Sequence, residues 1–365
     1  MKQFLVAILV IGILAGTAYL AVKIITSKKA TAGENQSGGE NTANGAEKKD
    51  ANGKVIGTAP VAVVERPSKL GRPESFSYKS AINGDISGIP TSKDASTGIL
   101  VDLDTRQVLW AKNPRKPVPI ASMTKMLTEL LAFEELDKNK NITLDTPVQV
   151  TPEAMKMGGS QINLDVRETF TLGELLKTVM IVSANDSALL VSEFLSGGNT
   201  PAFVAKMNSR AKELMLPGAK FHNPHGLPGA SAAEDNVCSP EGCIFLAEML
   251  LRYPQAVTWA STKTDYLPRK LNDQKPTLLG NHNHLLGSCP GVNGMKTGFI
   301  QRSGFCITVT CVRGNKKLAC AVTGFKTRKD RDAFCRKLID WGYSRAANMT
   351  SGTGGGTDVL DQILK

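Results

Sequence analysis

Three short strings carry residue types that can do covalent chemistry: Ser122-Met-Thr-Lys125, Ser183-Ala-Asn185 and Lys296-Thr297-Gly298. A serine hydroxyl attacks a carbonyl poorly until a neighbouring base takes its proton. A lysine three residues further along one helix shares a face with that serine. It can act as base only after losing its own proton, through burial or through a second cation such as Lys296. Asn185 is suited to hold a substrate amide, Ser183 to pass a proton, and Lys296 with Thr297 to anchor a carboxylate. Together the strings predict a serine acyl-transfer site with lysine, not histidine, as base, needing no cofactor and no metal. Each string alone has an ordinary explanation: a solvated lysine at a helix start, two helix-capping residues, a protective lysine on an edge strand.

The elements around them fit that chemistry. Pro117, Pro119 and Ile120 read as an extended approach. From Ala121 to Leu131 the apolar positions recur at helical intervals, which puts Ser122 in a first turn where free N–H groups favour negative charge. Thr171 and Glu174 form a capping box that opens a helix to Met180. A turn through Ser183 to Asn185 then leads into a second helix, Ser187 to Leu195, stopped by Gly197-Gly198. Gly304 to Val312 alternates and is rich in Val, Ile and Thr. Gly314-Asn315 turns the chain, and Lys317 to Thr323 returns as the second strand of a hairpin. The third string falls at or just before the first of these strands, where Gly298 lets a substrate backbone approach.

On these residues the chain resembles the serine-type D-alanyl-D-alanine carboxypeptidases, the low-molecular-mass penicillin-binding proteins of the DD-peptidase/β-lactamase superfamily. Gly98-Ile-Leu-Val-Asp102 with Val108-Leu-Trp110 is similar to the family's opening hairpin. Met157-Gly-Gly-Ser-Gln161 and Asn223-Pro-His-Gly-Leu227 are similar to its loops, and Gly324 to Tyr343 to its closing helix. The likeness covers roughly residues 92–345. It implies an α/β fold of α+β type: an antiparallel sheet built from the two ends of the domain, flanked by helices, with a helical lobe inserted. It also implies roles. Ser122 is the nucleophile, acylated by the penultimate D-alanine carbonyl of a peptidoglycan stem peptide, and Lys125 is the base. Ser183 relays the proton to the leaving amine, and Asn185 binds the peptide amide. Lys296 and Thr297 grip the terminal carboxylate beside Gly298. The N–H groups of Ser122 and Phe299 form the oxyanion hole. A β-lactam acylates Ser122 in the same way. Ile300 and Ser303 depart from the Thr and Ala more usual in the family, which bears on substrate preference. An endopeptidase of the same fold, cutting D-alanyl cross-links, is the alternative. A class A β-lactamase is disfavoured by Ala184 in the middle string and by the lack of a Glu-x-x-x-Asn string between Asn185 and Lys296. A catalytically silent wall-binding scaffold has no need of Ser122, Lys125 and Lys296 together.

The flanks read differently. Gln3 to Val22 is a 20-residue uncharged, mostly apolar run between Lys2 and Lys23. That is long enough to span a bilayer, so residues 1–26 are expected to be a membrane anchor or an uncleaved signal. Residues 27–91 are dominated by Gly, Ser, Asn, Ala, Lys and Glu and are expected to be a linker, with Val55 to Val64 as a strand docked on the domain. Residues 346–365 form a short Gly-rich tail. The expected site of action is the cell envelope, at the outer face of the cytoplasmic membrane or the periplasm, anchored or secreted. A net charge of +11 suits anionic wall polymers or headgroups. Scattered Lys and Arg with few aromatics exclude nucleic acid as a partner. Of seven cysteines, Cys238 and Cys243 flank Ser-Pro-Glu-Gly and are placed to close a small disulfide loop. Cys306, Cys311 and Cys320 read as buried small hydrophobes, with a Cys311–Cys320 bridge as the alternative for those two. Cys289 and Cys335 have no evident partner. The histidines at 222, 225, 282 and 284 lack acidic or thiolate companions in metal-ligand register.

Overall fold

Strands with apolar residues on both faces must be covered on both sides, and here the two ends of the sequence supply such strands. The computed structural model describes residues 71–271 and 274–351. In chain order the strands are β1 (Ile82–Asn83), β2 (Thr97–Asp102), β3 (Gln107–Lys112), β4 (Val118–Pro119), β5 (Pro147–Gln149), β6 (Thr169–Thr171), β7 (Val237–Cys238), β8 (Thr264–Leu267), β9 (Thr277–Gly280), β10 (Val292–Ile300), β11 (Gly304–Arg313) and β12 (Lys316–Phe325). The α-helices are α1 (Lys125–Lys138), α2 (Pro152–Met155), α3 (Leu172–Ile181), α4 (Asn185–Leu195), α5 (Thr200–Glu213), α6 (Pro240–Leu250), α7 (Pro254–Ser261) and α8 (Arg328–Ser351).

The main sheet runs β1-β3-β2-β12-β11-β10 and is antiparallel except for the short β1. Its period of two divides the core. Ile99 and Val101 of β2 and Ala319 and Ala321 of β12 face the helical lobe. Leu100, Leu318, Cys320 and Val322 face Phe334 and Leu338 of α8. The lobe between β4 and β8 packs around α1, which is buried on nearly every side. A sheet made from both ends with a helical lobe inserted is therefore the architecture, as the sequence predicts.

Several expectations are corrected. The linker ends before residue 91: Phe76 stacks on Phe245 with centroids 5.1 Å apart, and β1 pairs with β3. Its apolar residues are few and follow no period, yet Phe76, Ile86 and Ile89 are buried against the domain. The closing helix begins at Arg328, where Thr327 Oγ1 accepts from Asp330 N, and runs on to Ser351; Gly324 and Phe325 belong to β12. All seven cysteines are free and buried. The Cys238 and Cys243 thiols are neighbours but both are free, so the expected disulfide is not formed. Cys311 pairs with Leu318 and Cys320 with Val309, so those two thiols are not cross-strand partners. The expected anchor over 1–26, the strand at Val55 to Val64 and the tail beyond Ser351 lie outside the described residues. Among the described residues no helix is long and apolar enough to cross a membrane.

Glu129, in the middle of α1, is fully buried, and neither carboxylate oxygen has a hydrogen-bond partner. Burial holds its pKa well above the ordinary 4.5. The folded chain therefore keeps a proton that the unfolded chain gives up, and stability falls as pH rises past that ordinary value. A buried group without partners costs about 1–3 kcal/mol. Glu129→Met is thus expected to raise Tm at pH 8 by about 2–8 °C, with the gain shrinking toward pH 4. Thermal unfolding of both proteins across that range checks this; an unchanged or lower Tm at pH 8 refutes it.

Candidate active site

The turn that carries Ser122 is fixed from two sides. β4 pairs with β7, and the chain then enters a single 3-10 turn, Ala121–Thr124, before α1 begins at Lys125. Ser122 thus precedes the α-helix by one turn, and Lys125 opens it. Ala121 adopts φ +48°, an unfavourable conformation for a residue with a Cβ, costing about 1–3 kcal/mol. What holds it there is close packing. A Cβ on Gly226 would fall 2.1 Å from Ala121 O, and one on Gly298 would fall 2.5 Å from Ile120 O. Only glycine lets these two backbones close on the turn. Asn236 braces the same region: Nδ2 donates to Thr124 Oγ1 (3.0 Å) and Asn223 O (2.8 Å), and Oδ1 accepts from His222 N (2.7 Å).

Lys125 is completely buried. Its Nζ lies 3.1 Å from Ser122 Oγ, 2.6 Å from Asn185 Oδ1 and 2.5 Å from His225 O. Burial, and then the charge of Lys296, push its pKa well below the usual lysine value, against a smaller opposing pull from Asp186. A neutral amine has two hydrogens and one lone pair. Asn185 Oδ1 and the His225 carbonyl can only accept, so they take both hydrogens. The lone pair is left for the Ser122 hydroxyl. His225 itself stays neutral, its pKa held to about 3 by burial and by Lys125.

The second string closes the other wall. The chain reverses between α3 and α4 with Ser183 at φ +62°. The capping box of Thr171 and Glu174 is formed, and α4 starts at Asn185, two residues earlier than its pattern suggests. Asn185 is engaged throughout: Nδ2 donates to Gly158 O (2.8 Å) and its backbone N to Ser160 O (2.7 Å). Ser183 Oγ is buried with no protein partner and lines the cleft.

The third string differs most from expectation. Lys296, Thr297 and Gly298 lie inside a nine-residue strand, β10, at the sheet edge. Gly294, Gly298 and a central lysine hide the strand pattern in the sequence. Lys296 is no solvated edge lysine: it is 2 % exposed. Its pKa is lowered to about 7 by burial and by Arg331.

The resulting cleft, about 250 Å³, is lined by Ser122, Ser183, Thr297, Gly298 and Phe299, and also by Ser160, His282, Arg328 and Arg331. The last four were not predicted. Ser160 lies in the Met157–Gln161 loop, which the sequence marks without giving Ser160 a role, and His282 in an Asn-His-Asn-His run. Arg328 and Arg331 open α8, which the topology alone brings here. No carboxylate lines the cleft among the described residues. The arrangement offers an activated hydroxyl, a neutral amine, a free hydroxyl and a cationic floor suited to an anion.

Residues 86–327 match the family model for D-alanyl-D-alanine carboxypeptidase. The chain is 38 % identical over 252 residues to D-alanyl-D-alanine carboxypeptidase DacF of Bacillus subtilis, across 69 % of this chain and 63 % of that protein. It is 29 % identical to DacB2 of Mycobacterium tuberculosis, across 68 % and 82 %. The chain thus spans less than two thirds of the Bacillus relative's length. Among solved structures it is similar to the D-alanyl-D-alanine carboxypeptidase DacD from Francisella tularensis, with TM-score 0.63 and 22 % identity across 69 % of this chain and 70 % of that one. It is also similar to Penicillin-Binding Protein D2 from Listeria monocytogenes in its ampicillin-bound form, with TM-score 0.60 and 24 % identity across 68 % and 98 %. These structural likenesses establish the fold.

A methyl group at residue 226 must push the Ala121–Ser122 peptide away. A shift of about 1 Å at a reacting group can cost about a hundredfold in rate. Gly226→Ala is expected to slow acylation of Ser122 by an activated acyl donor by about that factor in a folded protein. Stopped-flow acylation with circular dichroism as the folding control tests it; an unimpaired rate would show the turn is not held from this side.

Proposed function

Because the chain belongs to the D-alanyl-D-alanine carboxypeptidase family, we propose that it removes the terminal D-alanine of peptidoglycan stem peptides through an acyl-enzyme on Ser122, and that β-lactams acylate the same hydroxyl. The observation that carries this reading is the Lys125 amine, 3.1 Å from Ser122 Oγ with both hydrogens held elsewhere. Lys125 takes the hydroxyl proton as Oγ bonds to the penultimate D-alanine carbonyl. Negative charge then collects on the carbonyl oxygen, for which the N–H groups of Ser122 and Phe299 are the assigned donors. The proton passes through Ser183 to the amine, the C–N bond breaks, and D-alanine leaves. Water hydrolyses the ester. Lys296 and Thr297, with Arg331 beside them, take the terminal carboxylate.

Asn185 is assigned two tasks: its Oδ1 orients Lys125, and its Nδ2, with one of two hydrogens on Gly158 O, keeps the second for the substrate's peptide amide. Gly298 is assigned to the close approach of β10 to the nucleophile turn. A peptidoglycan substrate places the enzyme in the cell envelope. We assign Gln3 to Val22 as the anchor and the residues up to about 70 as the tether; the ampicillin bound by the Listeria protein supports the β-lactam part.

The test uses a fluorescent penicillin and a diacetyl-lysyl-D-alanyl-D-alanine peptide. Labelling at Ser122 with D-alanine release supports the reading. Ser122→Ala should lose both, and Lys125→Ala should slow labelling by about 10²–10⁴. D-Alanine release by Ser122→Ala would overturn it. Labelling without release, with cleavage of cross-linked dimers, would replace it by the endopeptidase.

The pH dependence has a definite sign. As pH rises through about 7, Lys296 of the free enzyme loses its proton and the carboxylate its charged anchor. Thus kcat/KM should fall on the alkaline side with an apparent pKa near 7. Lys296→Arg, whose guanidinium stays charged, should move that limb up by about one unit or more. A limb that stays put would remove Lys296 from the anchoring role.

A further inference from the structure

Two segments that meet at the cleft are tied by a pair of residues that the reaction does not touch. Arg302 stands in the turn between β10 and β11, just past Phe299. Its Nε donates to Asp235 Oδ2 (2.5 Å) and its Nη2 to Asp235 Oδ1 (2.6 Å), the fork geometry in which arginine grips a carboxylate most firmly. Nη2 also donates to Gly229 O (2.9 Å). Asp235 is buried, although residues 230–234 before it are exposed. Its Oδ1 accepts in addition from Gly229 N (3.1 Å). The hydrogen bonds from Arg302 hold its carboxyl below the usual carboxylate range. A buried carboxylate with this many donors is a fixed point of the structure, unlike a solvated surface pair.

Both ends of the loop closed by this pair lie against the catalytic turn. At one end His225 O takes a Lys125 hydrogen (2.5 Å), and Gly226 backs on Ala121 O. At the other end Asn236, the residue after Asp235, accepts from Ile120 N (3.1 Å) and donates to Thr124 Oγ1 (3.0 Å). Arg302 in turn is rigidly placed relative to Phe299. Ser303 N donates to Ile300 O (3.1 Å) and Ile300 N to Ser303 Oγ (3.1 Å), so the reversal after β10 is locked on itself. A stiff path therefore runs from the Ser122 turn through Asn236, Asp235 and Arg302 to Phe299. The N–H groups assigned to the oxyanion belong to Ser122 and Phe299, one on each segment. Contact of Gly298 with Ile120 O stops the segments from coming closer. Repulsion cannot stop them from parting; that takes an attractive tie.

We propose that Arg302 and Asp235 are positioning residues, a latch that keeps the N–H groups of Ser122 and Phe299 at the separation an oxyanion needs. Neither side chain touches substrate. The pair acts through Asn236 on one donor and through the turn after β10 on the other. The inference rests on the carboxypeptidase reading, which gives those two N–H groups their task. Loosening the latch raises the barrier to acylation and spares the first, non-covalent complex, because charge on the carbonyl oxygen develops only as the bond to Ser122 Oγ forms.

Stopped-flow acylation of the full chain by a fluorescent penicillin, followed to saturation, separates the acylation rate constant from the dissociation constant of the first complex. Asp235→Asn keeps the side chain's size and an acceptor for Gly229 N. Arg302→Lys keeps the charge but cannot fork onto both carboxylate oxygens. Each should lower the rate constant about tenfold, a part of the roughly hundredfold or more that a lost oxyanion donor costs. The dissociation constant should stay within about twofold of the unaltered chain's. The double variant should be no slower than the slower single one, since both remove one contact. Circular dichroism and thermal unfolding confirm that the variants compared are folded at the assay temperature. Unchanged rate constants in folded variants, a loss confined to the dissociation constant, or losses that multiply in the double variant each overturn the latch while the carboxypeptidase stands. An unaltered chain that penicillin does not acylate at Ser122 overturns the functional reading, and the latch with it.

Discussion

Two buried lysine amines, Lys125 and Lys296, stand behind one cleft, and the rest of the site follows from that. Burial penalises the charge on each amine, and the Lys296 charge adds to that penalty at Lys125. Lys125 and Lys296 cannot both carry a proton cheaply. The deeper one, fully buried with Ser122 in reach, is the one that stays neutral. Burial alone would leave a lysine amine free to turn. Fixing its two hydrogens on Asn185 Oδ1 and the His225 carbonyl converts a neutral amine into an aimed one. That requirement draws three distant segments together: the start of α1, the start of α4 and the loop around residue 225.

Holding those segments in register strains the backbone where chemistry is to happen. Ala121 and Ser183 both sit at positive φ, and neither is glycine. The compensation is distributed around them. Ile120 N donates to Asn236 O (3.1 Å), and Asn236 ties the nucleophile turn to the loop that carries His225 and Gly226. On the opposite wall, the Asp186 carboxylate accepts from Ile162 N (3.0 Å) and Leu164 N (3.2 Å). It pins the loop whose Gly158 and Ser160 carbonyls hold Asn185. Neither brace touches Ser122, yet each fixes a residue that holds Lys125.

The sequence discloses what is local and little of what is not. Ser122 and Lys125 are legible because a serine and its base must share a helix face. The Thr171 cap and the β11–β12 hairpin are legible because period and turn chemistry act within a dozen residues. β10 is nearly illegible: the glycines and lysine that suit it to the site remove the alternation that marks a strand. Arg331 looks like any helical arginine until α8 is laid across the sheet. Gly226 and Asn236 act across more than a hundred residues of chain on Ala121 and Thr124, a relation no local pattern encodes. The cysteines divide: Cys306, Cys311 and Cys320 are the buried free thiols that their strand positions predict, while the short spacing of Cys238 and Cys243 suggested a bridge and the two fill the lobe as free thiols instead.

The position of β10 at the sheet edge links fold to function. An unpaired edge invites association with other chains, and proteins commonly protect it with exposed lysines. Here the edge lysine turns inward instead, and the strand lies against the nucleophile turn, where Gly298 admits Ile120 O. The edge is covered for part of its length by the helical lobe, where α7 packs on β10. Such an edge can accept one more strand, but only one presenting a carboxylate to Lys296 and a carbonyl to Ser122. On the proposed function, the order of the sheet and the choice of substrate are therefore one constraint: a chain that filled this edge with another strand of its own would have no place to bind a peptide.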